Sequence, residues 1–512
     1  MRHYFIHFIS LGLLCLLVVE PALANSAHKK APTDKLKEYQ QIDWSKYTIA
    51  AVKHKVPKKM QGNDITLLPV QSLYFLPEVN QVEMNKTWQA AGHPWPKIII
   101  IANGVYDLAS LHRLINNEHI FKKIDAKTFI TYRPIYIAPT ASLVIDNAEL
   151  RLSTISGVYI ISNGKLYITN SVFTSWDENS QDYGVREHIP EKELLFYGTQ
   201  FPRPYLMLLN QSEIYAANSK FTGLGYKGQM GSFGISMSNR LPKENSAKIF
   251  DDYLRKLKKP TGWFIGNTFE HNYFGFYSNE AENVVILGNI YLNNTIYNID
   301  PHDFSYNLLI ARNLSYQAEH AHGIIISREV NNTTIAENIS IKNYGTGIML
   351  DRNSEHNLIY NNLTMANKGD GIAIFESDHN LLLDNTATRN GHTGIVVRNS
   401  CHIKVQANYL FRNVKSGTEI SVLNIDYLET RDFVLDHYHQ ATSSHLLENI
   451  FESNLSVAIN SNNKPTIHLQ NNRYLNSGSA YFAGDLVALT RDIVTAPKET
   501  GFSYQGENPC PK

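Results

Sequence analysis

The tetrapeptide Asp300-Pro301-His302-Asp303 sets one imidazole between two carboxylates, and Arg328, Arg352 and Arg398 follow at intervals of 26, 24 and 46 residues. Such a set suits the removal of a proton next to a carboxylate. A guanidinium cancels the charge of that carboxylate through two parallel hydrogen bonds, which makes the adjoining C–H more acidic. Histidine, with an ordinary pKa of about 6.5, is a base that works near neutrality, and a neighbouring Asp orients its ring and tunes that value. The competing reading is structural: a turn with a satisfied histidine, and arginines that pair with nearby Asp and Glu. Residue types alone leave both open.

What must position these residues is a repeat. Asn267, Asn289, Asn313, Asn338, Asn362, Asn385 and Asn408 open successive units at spacings of 22, 24, 25, 24, 23 and 23. Gly275, Gly323, Gly347, Gly371 and Gly394 each precede a short apolar strand, and a further strand closes the units at 284–286, 333–335, 357–359 and 380–382. Three short strands per unit, rich in β-branched residues and Leu and separated by Asn, Gly and Ser, predict an all-β fold: a right-handed parallel β-helix. A leucine-rich repeat shares the period but wants a Leu-x-x-Leu-x-Leu pattern and a helical segment, and neither is present. The turn asparagines are expected to stack in a ladder, so the Asn-x-Ser/Thr triplets among them read as ladder positions and not as glycan acceptors.

Aligned on the repeat, Asp300-Pro301-His302-Asp303 falls on a strand that neighbouring units fill with apolar residues. With Ile299 and Pro301 inward, strand alternation puts Asp300 and His302 on the outer face. The next coil brings Ser327 over His302 and Arg328 over Asp303, Asp351 and Arg352 follow one coil further, and Arg398 lies two coils beyond. Tyr277 falls one coil below Asp300.

The chain has 512 residues with 47 Lys+Arg against 47 Asp+Glu, 43% hydrophobic residues and 3 Cys. Those figures exclude a disordered chain, a disulfide-stapled miniprotein and a basic nucleic-acid binder. Arg2, an apolar run over 5–19 and Ala22-Leu23-Ala24 predict a cleaved signal peptide over 1–24 and hence export. The run is shorter than the roughly 20 residues a span needs, so the mature chain is expected to carry no transmembrane span. Its removal takes away Arg2 and Glu20, leaving 46 against 46, so an anionic partner must be met by a local patch. Residues 25–90 are expected to be an N-terminal extension or cap, 91–490 the β-helix with insertions at about 177–193, 240–259 and 414–447, and 491–512 a tail. The second insertion is expected to be helical around 249–257, and 108–120 to form an amphipathic helix over the open end. Cys401 and Cys510 either pair or stand as two thiols.

Asp300-Pro301-His302-Asp303, followed by His322-Gly323-Ile324-Ile325-Ile326-Ser327-Arg328-Glu329-Val330 and Asp351-Arg352-Asn353-Ser354, resembles the periplasmic mannuronan C5-epimerases of alginate-producing bacteria. Pro260-Thr261-Gly262-Trp263, Gly275-Phe276-Tyr277 and 280–287 look like the same family, and the likeness runs from about 135 to 413. The resemblance implies a periplasmic β-helix enzyme that converts β-D-mannuronate to α-L-guluronate within the polymer. It also implies His302 as base, Arg328 as the carboxylate-neutralising group, Asp300 and Asp303 beside them, and water as the reprotonating acid. Arg352, Asp351, Arg398, Tyr277 and His322 are the candidate substrate-binding residues. The implied partner is an anionic polysaccharide, within a possible export complex.

Two alternatives accompany that reading. A polyuronate lyase starts with the same proton abstraction and needs an acid at the leaving oxygen, for which Tyr277 is a candidate. A non-catalytic sleeve would bind nascent polysaccharide without turnover. A glycoside hydrolase would want two carboxylates across the bond. No cofactor and no required metal are expected: His437, His439 and His445 read as a solvated loop, and calcium-binding nonapeptides are absent. Lys256, Lys258 and Lys259 could draw a polyanion, or be a plain helix end.

Overall fold

The computed structural model describes residues 31–69, 97–184, 203–228, 231–239, 257–428, 431–434, 436–478 and 480–511. The expected signal peptide, Lys256 and all but the last residue of the helix expected over 249–257 lie outside them. The chain winds into a right-handed parallel β-helix, as the repeat predicts. One coil consists of strands Ile324–Ser327, Thr334–Ala336 and Ile339–Ile341, and the next of Ile348–Asp351, Leu358–Tyr360 and Leu363–Met365. Each strand pairs in parallel with its counterpart one coil on, Ile324 with Ile348, Thr334 with Leu358 and Ile339 with Leu363. Pairing in register stacks like on like. Ile299, Ile324, Ile348, Ile372 and Ile395 form one inward column, and all are fully buried. Each such side chain contributes roughly 1.5–3 kcal/mol on burial. Phe173, Phe221, Phe269 and Tyr291 stack inside the third face, the last two with ring centroids 4.6 Å apart.

The periodic asparagines form the expected ladder. Asn338 Oδ1 accepts from the backbone and side-chain amides of Asn313, both at 2.9 Å, while its own Nδ2 donates to Ile310 O at 2.9 Å and Asn362 Oδ1 at 3.0 Å. Four bonds to one buried amide satisfy backbone groups that the corner would otherwise orphan. A second ladder runs through Asn343, Asn367, Asn390, Asn413 and Asn454. It is the reason for the periodic glycines. A Cβ on Gly347 would stand 2.7 Å from Asn367 Nδ2 and 2.8 Å from Gly371 O. The coil that begins at Asn298 swaps the two roles: the ladder position holds Ala318, and Asn298 sits where its neighbours have Gly. The Asn298 side chain bridges the gap, accepting from Asn294 Nδ2 at 2.8 Å and donating to Asn343 Oδ1 at 3.3 Å.

Both ends are covered. Helix Leu108–Ile115, shorter than the expected 108–120, starts in a capping box between Asp107 and Ser110, ends at Asn116 in the left-handed region, and buries Leu108 and Leu111 in the core. Strand Gln61–Pro69 pairs antiparallel with Lys97–Asp107 along the first coil. At the far end helix Thr490–Thr495 buries Ile493, and Phe502–Tyr504 pairs antiparallel with Thr466–Gln470. Helices Pro32–Gln40 and Ile49–Lys55 lie along the side of the solenoid, with Tyr39 and Val52 packed in one cluster with Ala217, Ile265, Val285 and Ala311. A Cys401–Cys510 disulfide ties the tail to the body. Among the described residues no helix is long and apolar enough to cross a membrane.

The third insertion is narrower than the expected 414–447. Ser416–Ser421 and Ser443–Leu447 are regular coil strands, paired with Ile395–Arg398 and Ile403–Gln406, so among the described residues the departure from the solenoid begins after Ser421 and ends before Ser443. His445 therefore belongs to a strand, where its ring meets His468 at 4.5 Å.

Candidate active site

The candidate residues share the outer surface of one face. Strand Ile299–His302 pairs with Phe274–Asn279 below, setting Tyr277 opposite Asp300 and Asn279 opposite His302, and with Ile324–Ser327 above, setting His302 opposite Ser327. Asp351, Phe375 and Arg398 continue the His302 column. Each strand then turns the corner through left-handed backbone, and that corner holds Asp303, Arg328, Arg352 and Glu376, at φ values of 32°, 63°, 54° and 46°. Non-glycine residues pay for such conformations. Here a column of charged side chains occupies them.

The central contacts are close. His302 Nδ1 stands 3.0 Å from Asp303 Oδ1, and the same oxygen is 3.3 Å from Arg328 Nη1. Asn279 donates to Asp303 Oδ2 at 3.1 Å, and the Tyr277 ring lies 6.2 Å from the His302 ring. The contact is one of charge proximity, since His302 Nδ1 is buried without a hydrogen bond of good geometry, and Nε2 is the other ring nitrogen on which a proton can sit. Asp300, only 2% exposed, keeps an oxygen without a hydrogen-bond partner.

Burial pushes the Asp300 carboxyl up to about 7, a rise that His302 opposes and Asp303 adds to. For His302 burial is also the largest influence and disfavours the imidazolium, yet contact with Asp303 and the charges of Asp300 and Asp303 outweigh it. The pKa of His302 ends above its usual value. Asp303 reverses the balance: burial resists ionisation, but His302 and Arg328 hold its carboxyl below the ordinary range. Burial raises Asp351, and burial followed by the charge of Asp300 raises the Tyr277 phenol. The cluster thus holds a base whose proton leaves above the pH of a free histidine, next to a fixed cation.

The other candidates spread along the same face. Arg352 Nε is 3.2 Å from Asp351 Oδ2, and Arg398 Nε is 2.9 Å from Glu376 Oε1 while its guanidinium lies 3.7 Å over the Phe375 ring. His322 stacks on Tyr297 at 5.8 Å and accepts from Thr346 N through Nδ1 at 2.9 Å; burial lowers it to about 4. It is a neutral ring at physiological pH. Sequence reasoning missed Asn279, Glu376, Arg431 and Asp436. Glu376 had a signal, since it follows its strand as Asp303, Arg328 and Arg352 follow theirs. Arg431 and Asp436 come from the non-repeating 422–442 loop and had none.

Fold and site together define a parallel β-helix with an outward-facing His–Asp–Arg cluster on one sheet. The crystal structure of the periplasmic alginate epimerase AlgG superposes with a TM-score of 0.76 at 31% identity, covering 86% of this chain and 98% of that one. The mannuronan C5-epimerase of Pseudomonas aeruginosa is 35% identical over 305 residues, 59% of this chain and 52% of the relative. Mannuronan C5-epimerase AlgG of Azotobacter vinelandii is 33% identical over 298 residues, 58% and 53% of the two chains. The alignments span about half the length of these curated relatives. The chain belongs to the family of periplasmic alginate epimerases. Residues 265–432 also match the family model described as periplasmic copper-binding protein (NosD). His356, His379 and His402, within that stretch, stack nearly parallel with centroids 4.9 and 4.6 Å apart, and among the described residues no group of three or more His, Cys, Asp or Glu is placed to hold a metal ion.

Proposed function

We propose that the chain is a polymer-level mannuronan C5-epimerase, acting in the periplasm on mannuronate residues of an alginate-like chain laid along the outer face. The observation that carries this reading is His302 held 3.0 Å from Asp303 with Arg328 on the same carboxylate. In the reaction the C5–H bond breaks, its proton passes to His302 Nε2, and the electron pair delocalises into the C6 carboxylate, whose growing charge Arg328 stabilises. Water delivers a proton to the opposite face of C5, the hydroxide left behind is neutralised through solvent by the proton that His302 took up, and the sugar becomes α-L-guluronate with no other bond changed. Asp303 orients His302, and Asp300 tunes it through its charge. Arg352 and Arg398 bind carboxylates of flanking sugars, with Asp351, Tyr277 and His322 completing the groove. An export complex is a compatible setting for a periplasmic enzyme that meets nascent polymer.

The test is proton NMR of polymannuronate incubated with the mature protein in deuterated water. Guluronate signals, with deuterium at C5 and no chain shortening, are expected. Alkene signals would mean a lyase. An unchanged polymer that still binds would mean a sleeve.

A further inference from the structure

The loop 422–442 is built into the site by one carboxylate. Asp436, with its side chain 1% exposed, receives Arg328 Nε and Nη2 at 2.8 Å each, and Arg352 Nη1 stands 3.9 Å away. Described residues near it and at both ends of the loop are anchored as well. Arg431 donates to Asp436 O at 3.1 Å and to Glu376 Oε2 at 2.7 Å, and the other Glu376 oxygen takes Arg398. Leu423 exchanges two bonds with the Asn399 side chain at the loop's start, and Thr442 Oγ1 donates to Ser421 O at its end.

A guanidinium has five N–H donors in a rigid plane. Asp436 takes two along the Nε–Nη2 edge and Asp303 takes one from Nη1. One N–H remains on each terminal nitrogen, enough for a further carboxylate, while the plane of the fork is set by the two Asp residues. An Arg on a corner without such a clamp would sample many rotamers. We propose that Asp436 is a positioning residue: from the loop it fixes the Arg328 fork so that the two remaining N–H groups meet the uronate carboxylate of the sugar whose C5 faces His302.

This inference rests on the reading of Arg328 as the carboxylate-binding group, and the test separates the two. In the full-length mature protein, Asp436→Asn keeps the size and removes the charge. Expected is a fall in kcat on polymannuronate of the order of 10²-fold, the scale that small misplacements cost, with KM changed far less. A second readout needs no turnover. Asp300 flanks His302 on its own strand, Asp303 sits at the corner, Tyr277 lies on the coil below and Arg328 on the coil above. Without Asp436 the Arg328 charge is less balanced, so the His302 imidazole, followed by NMR, should titrate at lower pH. The activity profile should move its acid limb the same way.

Wild-type turnover together with an unchanged kcat and an unchanged His302 midpoint in Asp436→Asn would overturn the positioning role. So would a lower kcat with a lower Tm and an unmoved midpoint, which would assign Asp436 to holding the loop. If the wild-type protein itself does not epimerise, the functional reading fails and the midpoint alone decides. Should Asp436→Asn not fold, Asp436→Glu serves: it keeps the charge but displaces the fork, so a severalfold lower kcat with an unmoved midpoint is expected, and wild-type kcat would overturn the proposal.

Discussion

The coil bearing Asp300 and His302 and the coils that follow it run the same path and stack the same inward isoleucines, yet differ on the outer surface and in one ladder, where Asn298 bridges the gap left at Ala318. Inside, Ile299 stacks under Ile324 and Ile348 without interruption. Outside, the position that holds Asp300 holds Ile325, Met349 and Ala373 in the next three coils, and the corner that follows holds charges throughout. A β-helix fixes its backbone through inward columns and ladders, so its outer positions are free to change chemistry without moving the frame. The difference extends to the loop. Regular coils satisfy their polar groups through neighbours one period away, whereas Arg328 finds its main partner 108 residues along the chain.

Substitutions on each side of that divide should separate turnover from stability. The largest effect is expected from His302→Ala, which should lower turnover by about 10³-fold or more while polymer binding, measured calorimetrically, persists. Arg328→Lys keeps a charge but loses the fork, and should cost about 10²-fold in kcat/KM in the same assay. On the frame, Asn338→Ala removes four buried hydrogen bonds and should destabilise by roughly 2–4 kcal/mol in denaturant titration, with the kcat of the folded fraction unchanged. A large loss of kcat there would break the proposed separation.

The smallest effect concerns Asp300. Its folded pKa of about 7 lies above the unfolded value of 3.8, so the native state binds the extra proton in that window and stability falls as pH rises through it. Asp300→Asn should therefore raise Tm at pH 8 by roughly 1–3 °C while lowering activity, and should have no stabilising effect at pH 3. For wild-type protein, the base must be neutral to act, so kcat/KM should climb with pH through a midpoint above that of free histidine, as the raised pKa of His302 requires.

Much of the solenoid was legible because a repeat announces every side chain many times. The inward Ile column, the Asn ladder and the outward placement of Asp300 and His302 all follow from period and alternation. Glu376 was legible in principle, since its corner is that of Arg328 and Arg352. The Cys401–Cys510 pair was not, because a separation of 109 residues carries no information on proximity until the tail is seen to return along the solenoid. Asp436 was hidden for the same reason: its position depends on the path of a loop that obeys no period. The ends of that loop were misjudged because Ser416–Ser421 and Ser443–Leu447 are polar for coil strands.

The most direct measurement is the release of tritium to solvent from polymannuronate labelled at C5, followed alongside the formation of guluronate. Release in step with guluronate by the wild-type protein, abolished in His302→Ala, is the expected result. Guluronate formed with the label retained, or undiminished release by His302→Ala, would contradict proton abstraction by His302.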